Sequence, residues 1–205
     1  MNSSELDKTI TLLRNNPESI CLQYLILSDD ERKTEWTTYS HALAGVDTFF
    51  VITVQQIGWL DARLVFFDKK LLENGKQNTL TDIYLNEQLA QSFMWVLAAY
   101  EIIRTLNDDK RPSYNTYINF QQRVMDLKHK FERIRIPLAK FEPSRKHKTT
   151  DSSVAYPTFS LEKGVAWQVS DSTYITRREL SDEMLELFKD IHKGLSGITL
   201  TNPQK

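Results

Sequence analysis

Residues 29–75 read DDERKTEWTTYSHALAGVDTFFVITVQQIGWLDARLVFFDKKLLENG, and this stretch decides the fold. Trp36, Tyr39, Leu43, Val46, Phe50, Ile57, Leu60, Leu64 and Leu71 recur at the spacing that lines up side chains on one face of a helix. Asp29 and Asp30 stand where acidic residues cap and favour a helix N-terminus, and Asn74-Gly75 supplies a C-cap. One unbroken helix over the whole stretch would run about 65 Å at 1.5 Å per residue, too long for a single small domain. A break near Gly45 or Gly58 is therefore expected.

On the N-terminal side, Ser4 and Asp7 can cap a short helix with Leu6, Ile10 and Leu13 on one face, ended by Asn15-Asn16-Pro17. Ile20 to Leu27 suits a helical turn or a strand equally. On the C-terminal side, Thr79 and Asp82 open a helix whose apolar stripe is Leu85, Leu89, Phe93, Val96, Tyr100 and Ile103, fraying at Asn107-Asp108-Asp109. Pro112 fits a first helical turn. Tyr114, Tyr117, Val124, Phe131 and Ile134 mark the following helix, which Pro137 should kink or end.

After Pro143 the pattern changes. Residues 144–153 are polar and read as a loop. Tyr156 to Leu161 and Val165 to Val169 flank Glu162-Lys163-Gly164 as a β-hairpin would. Thr176 and Glu179 form a capping box for a last helix lined by Leu180, Met184, Leu187 and Ile191 and closed by Gly194, with a frayed tail from Ser196. The expected fold is mainly α: an up-and-down helical bundle of four or more helices with a small C-terminal β-hairpin and a closing helix. Helices are placed near 30–73 (broken once), 79–107, 113–136 and 177–193, with the hairpin over 155–170. The chain, 1–205, reads as a single helical domain, with 30–142 the bundle and 155–193 a hairpin-plus-helix extension.

Forty per cent apolar and 11% aromatic residues are enough to build a core. Cys21 is the only cysteine, which excludes an intrachain disulfide and a cysteine-rich metal site. Glu5 and Asp7 occupy the place where a signal peptide would be basic and then apolar. The longest clean apolar run, Phe93 to Tyr100, is far short of the ~20 residues that cross a bilayer. The expectation is a soluble, cytoplasmic protein with no membrane partner.

The net charge of −1 conceals an asymmetry. Between Arg123 and Lys148 stand Arg123, Lys128, Lys130, Arg133, Arg135, Lys140, Arg145, Lys146 and Lys148, against Asp126, Glu132 and Glu142. The segment thus carries +6 and the rest of the chain −7. A basic strip on a nearly neutral protein is the footprint of phosphate contacts, and equally of a solvated helix face whose charges pair with acids elsewhere. Only Phe131 and Phe141 interleave it with the aromatics that stack on bases.

Within the strip, Arg135-Ile136-Pro137-Leu138-Ala139-Lys140-Phe141-Glu142 resembles the signature of the HEPN superfamily. That signature is an arginine, four to six residues and a histidine, often inside R-x-x-L-A-H-F-E. A bundle of about four helices preceding the motif is similar to the family as well. The resemblance spans residues 30 to 150 and implies metal-independent attack of an RNA 2′-hydroxyl on its own phosphate, at an interface between two copies. It implies a homodimer and assigns the catalytic positions to Arg135 and Lys140. Lys140 stands in the histidine position, and Ile136 where a polar residue is usual. An ammonium with an ordinary pKa of ~10.4 is a donor and a poor base, so the resemblance points to a binding variant rather than an active ribonuclease. RNA, if bound, would meet Arg133, Arg135, Lys140, Arg145, Lys146 and Lys148.

Other chemistry is less supported. Arg123 and His129 also satisfy the arginine-to-histidine spacing, which chance readily supplies. Asp126 and His129 are i, i+3, yet there is no Glu-x-x-His, so neither a metal nor another cofactor is expected. No G-x-S-x-G elbow, P-loop or dinucleotide fingerprint occurs. Asp47, Asp61 and Glu101 border apolar stripes and read as rim residues. Three functions stay open: a HEPN-like module that binds RNA or a nucleic-acid-associated partner through the strip at 123–148, a protein-interaction module of the immunity or neutralising kind found in defence and toxin–antitoxin pairs, and an active metal-independent endoribonuclease.

Overall fold

The computed structural model describes Lys8, residues 27–74 and residues 79–200. The expected helix at Leu6 to Leu13 and nearly all of the Ile20–Leu27 run lie outside the described residues, as does Gly75. Five α-helices follow one another among the described residues: α1 (Asp30–Ser40), α2 (Thr48–Asn74), α3 (Thr79–Leu106), α4 (Gln121–Lys140) and α5 (Arg177–Leu200). Between α4 and α5 lies a three-stranded antiparallel sheet, β1 (Tyr156–Ser160), β2 (Gly164–Ser170) and β3 (Thr173–Thr176), in that spatial order. Successive bundle helices pack as neighbours, α1 on α2, α2 on α3 and α3 on α4, while α5 returns across α1 and α4 and the central strand β2 lies against α2.

The long periodic stretch breaks at its first glycine. Asp29 caps α1 by accepting from the Arg32 amide at 3.1 Å, and α1 gives way to a tight turn of helix at His41–Leu43 before α2 begins. Gly58, the other expected break, lies inside continuous α2. A Cβ there would meet Trp36 Cγ at 2.4 Å, so the glycine lets the fully buried indole of α1 lie on the α2 backbone.

The residues 112–140 divide differently from the expectation of one helix ending at 136. Pro112–Phe120 is a 3-10 segment, and α4 starts at Gln121. The helix then runs through Pro137 to Lys140. Proline removes its own N–H bond and crowds the carbonyl four residues back, and burial of its ring in the core face works against that cost. Gln121, Val124, Leu127, Phe131, Ile134 and Pro137 make the buried stripe of α4, so the proline is part of the core face. The stop comes at Phe141, whose φ of 57° is left-handed.

The hairpin forms with Gly164 at φ +80°, a conformation that suits glycine. A Cβ on Gly164 would also strike the Asp68 carboxylate, 2.2 Å from its Cγ. Pro157 sits on the edge strand β1, opposite Trp167, where a missing donor costs no ladder bond between central strands. The unexpected strand β3 pairs with β2 through Trp167↔Ile175 and neighbouring positions. The capping box at α5 is complete: the Glu179 amide donates to Thr176 Oγ1 at 3.0 Å and the Thr176 amide to the Glu179 carboxylate at 3.1 Å. Gly194 does not close α5, which continues to Leu200; it admits Phe120, whose ring edge would lie 3.0 Å from a Cβ.

By length and composition alone, Thr48–Glu73 of α2 is apolar enough to span a bilayer. In the fold it is a bundle helix whose inward face carries Val54, Asp61, Leu64 and Asp68. Both aspartates bind arginine.

Candidate nucleic-acid interface

The structure separates the cations of the strip into two populations. Along α4 they are held by carboxylates of neighbouring elements. Arg123 reaches Asp190 of α5 at 2.7 Å, Lys130 reaches Glu183 of α5 at 2.6 Å, and Lys128 pairs with Glu132 one turn on at 2.9 Å. Arg133 grips Asp151 through two parallel bonds of 2.7 and 2.8 Å, tying the loop after α4 to the helix. Burial would raise the Asp151 pKa, but the Arg133 hydrogen bond and charge hold it below the ordinary carboxylate value. Arg135 lies over the Tyr100 ring, 5.0 Å from its centroid, with Glu101 3.9 Å away.

Beyond the end of α4 the pairing stops. Lys140 is 57% exposed and has only Glu142 at 4.0 Å. Arg145, Lys146 and Lys148 are exposed and make no ion pair among the described residues. Lys146 instead meets His129 Nδ1 at 3.0 Å. Phe141, 71% exposed, follows Lys140 at the end of α4, whereas Phe131 is fully buried and cannot stack on a base.

The two positions assigned by the HEPN resemblance share α4 but not a face. Five residues at 3.6 per turn set Arg135 and Lys140 about 140° apart around the helix axis. Arg135 turns towards α3, while Lys140 ends the helix in solvent. Arg123 and His129 are likewise committed to different partners, Asp190 and Lys146. Asp126 accepts from Gln122 at 3.0 Å, and among the described residues no three His, Cys, Asp or Glu side chains converge to hold a metal.

The largest charged constellation is one the rim reading of Asp61 missed. Asp61 is fully buried, and its carboxylate accepts from Arg32 Nε, from Arg177 Nη1 and, at 2.9 Å, from Trp36 Nε1. Arg177, also fully buried, bonds Asp68 through Nη2 at 2.8 Å and lies 5.7 Å from the Trp95 centroid. Gln88 donates to Asp68 at 2.9 Å and to the Leu64 carbonyl at 2.7 Å. Arg32 completes the set on Ser181 at 2.6 Å and Asp182 at 2.7 Å. Burial pushes the Asp61 carboxyl up, yet Arg177 and Arg32 outweigh it and hold the pKa below its ordinary value. Two arginines and two aspartates inside the core cancel in charge, and they join α1, α2 and α5.

Asp47 and Glu101, the other two acids on the apolar borders, are exposed. Compared with protein-family models, with curated proteins and with solved structures, the chain matches none.

Proposed function

We propose that this chain is a HEPN-like helical module of the cytoplasm, catalytically degenerate, that binds single-stranded RNA at the C-terminal end of α4. The carrying observation is the distribution of charge: Arg145, Lys146 and Lys148 make no ion pair among the described residues and Lys140 has only Glu142 at 4.0 Å, while Arg123, Lys128, Lys130 and Arg133 are closely paired. Exposed Phe141, next to Lys140, adds a face on which a base can stack. Arg135 contributes less to RNA than the spacing of the strip suggests, since it covers Tyr100, and Arg133 commits two of its three nitrogens to Asp151. Binding is favoured over cleavage because Arg135 and Lys140 diverge and neither side chain is an imidazole.

Salt titration of RNA binding tests the reading. The slope of log affinity against log salt is near −0.7 per phosphate contacted on a single strand. Replacing Lys140, Arg145 and Lys148 together by glutamine should flatten that slope, and incubation should leave the RNA uncut. Salt-sensitive binding that survives the triple variant unchanged would contradict the assignment.

The same reading carries a homodimer. Phe49 and Ile52 on α2 and Met94 on α3 are exposed apolar side chains suited to a second copy. Light scattering at micromolar concentration should then report about twice 24.0 kDa. A monomer at every concentration would remove the dimer while leaving RNA binding to its own test. A protein-docking function without nucleic acid draws on these same side chains, and salt-insensitive capture of a partner with no RNA binding would put it first.

A further inference from the structure

Between α4, the 3-10 turn Arg145–His147 and the start of α5 lies an open cleft of about 390 Å³, lined among others by His129, Lys130, Arg133, His147, Glu179 and Glu183. Two imidazoles thus meet in one concavity at the edge of the unpaired cations. Each carboxylate there already has a cation: Glu183 holds Lys130, Glu179 holds Lys163 at 2.7 Å, and Asp151 holds Arg133. Lys146 is left over. Its ammonium carries no acceptor, so its 3.0 Å contact with His129 is a donation to Nδ1. His129 is thereby fixed as the neutral tautomer with its proton on Nε2. Burial and then the Lys146 charge hold the His129 pKa below its ordinary value, in keeping with that tautomer.

We infer that this cleft is a phosphate site, in which the Nε2–H of His129, the imidazole of His147 and the remaining Nη1 of Arg133 bind one phosphate oxygen cluster, with Lys146 supplying charge behind His129. For its ligand, a phosphodiester of RNA, the inference rests on the proposed function. For its chemistry it needs only a tetrahedral anion. The Arg133–Asp151 fork uses Nε and Nη2 and leaves Nη1 to face a ligand. His129 and Arg133, held by Lys146 and Asp151, lose little freedom on binding, unlike the long side chains of Arg145 and Lys148.

The test uses the full chain and two probes, inorganic phosphate and a single-stranded RNA dodecamer. Imidazole ¹⁵N resonances of His129 and His147 should shift with either probe, and His129→Gln with His147→Gln should weaken RNA binding roughly tenfold, as loss of charge-assisted hydrogen bonds does. Shifts with phosphate but no RNA binding would uphold the site and remove the RNA reading. RNA bound equally by wild type and a folded double variant would overturn the site and leave RNA on the exposed cations. Rings unmoved by both probes would overturn it too, a result the wild type gives even where the double variant fails to fold.

Discussion

Phe141 shows what a single residue contributes here. Its left-handed φ of 57° ends α4, a conformation that glycine adopts freely and a Cβ disfavours by roughly 1–2 kcal/mol. Its ring is mostly exposed, so packing does not account for a phenylalanine in that place. A left-handed residue is a common way for a helix to end, and the exposed ring is what remains for a contact. Phe141→Gly should leave stability unchanged or raise it by about 1 kcal/mol in urea melts, while RNA affinity falls by about tenfold, the scale of one lost base stack. Undiminished affinity would reduce Phe141 to a helix stop. Asp61 is the opposite case, a charge whose whole purpose is internal. Asp61→Asn leaves Arg32 and Arg177 short of a countercharge and should cost about 3–5 kcal/mol by chemical denaturation. Asp190→Asn, which frees the exposed Arg123, should cost less than about 1 kcal/mol. Comparable losses for the two variants would refute the distinction.

At the scale of elements, the sequence is readable wherever the signal is local. The Asp29 cap, the Gly164 hairpin and the reciprocal Thr176–Glu179 cap all lie where spacing and residue type put them. Pro137 misled because a backbone rule was weighed without the side-chain period. The buried stripe of α4 continues through Ile134 to Pro137, and burial of the ring favours carrying the helix on. Thr173–Thr176 has four good strand residues, but they run straight into the helix cap and were absorbed by it. Asp61 was illegible for a different reason. Its partner Arg177 is 116 residues away, and an acid on an apolar period looks the same whether it faces solvent or a distant arginine. The candidate interface was half legible: composition located the strip, but only the fold reveals that the carboxylates of α5 and the Asp151 loop neutralise its helical part.

For the whole molecule, these ion pairs set the response to acid. Asp29, Asp61, Asp151 and Glu179 all have depressed pKa values; burial opposes this in each, and Lys69, Arg177 with Arg32, Arg133 and Lys163 respectively overcome it. A carboxylate with a folded pKa below its unfolded value of about 4 stabilises fully above that value and loses the contribution as pH falls through the folded one. The melting temperature should therefore drop below about pH 4, and Asp61→Asn should flatten that drop. An acid limb unchanged by the substitution would mean that Asp61 is not the group that acid attacks.

The molecule as a whole is nearly neutral, so any affinity for RNA must come from a local excess of charge. The most direct measurement is fluorescence anisotropy of a labelled single-stranded RNA titrated with the full chain from 50 to 300 mM salt, for the wild type and for the Lys140, Arg145, Lys148 triple glutamine variant. A steep wild-type slope that flattens by about two units in the variant, near 0.7 for each lost contact, is the predicted result. An absence of salt-sensitive binding, or equal slopes for the two proteins, would contradict it.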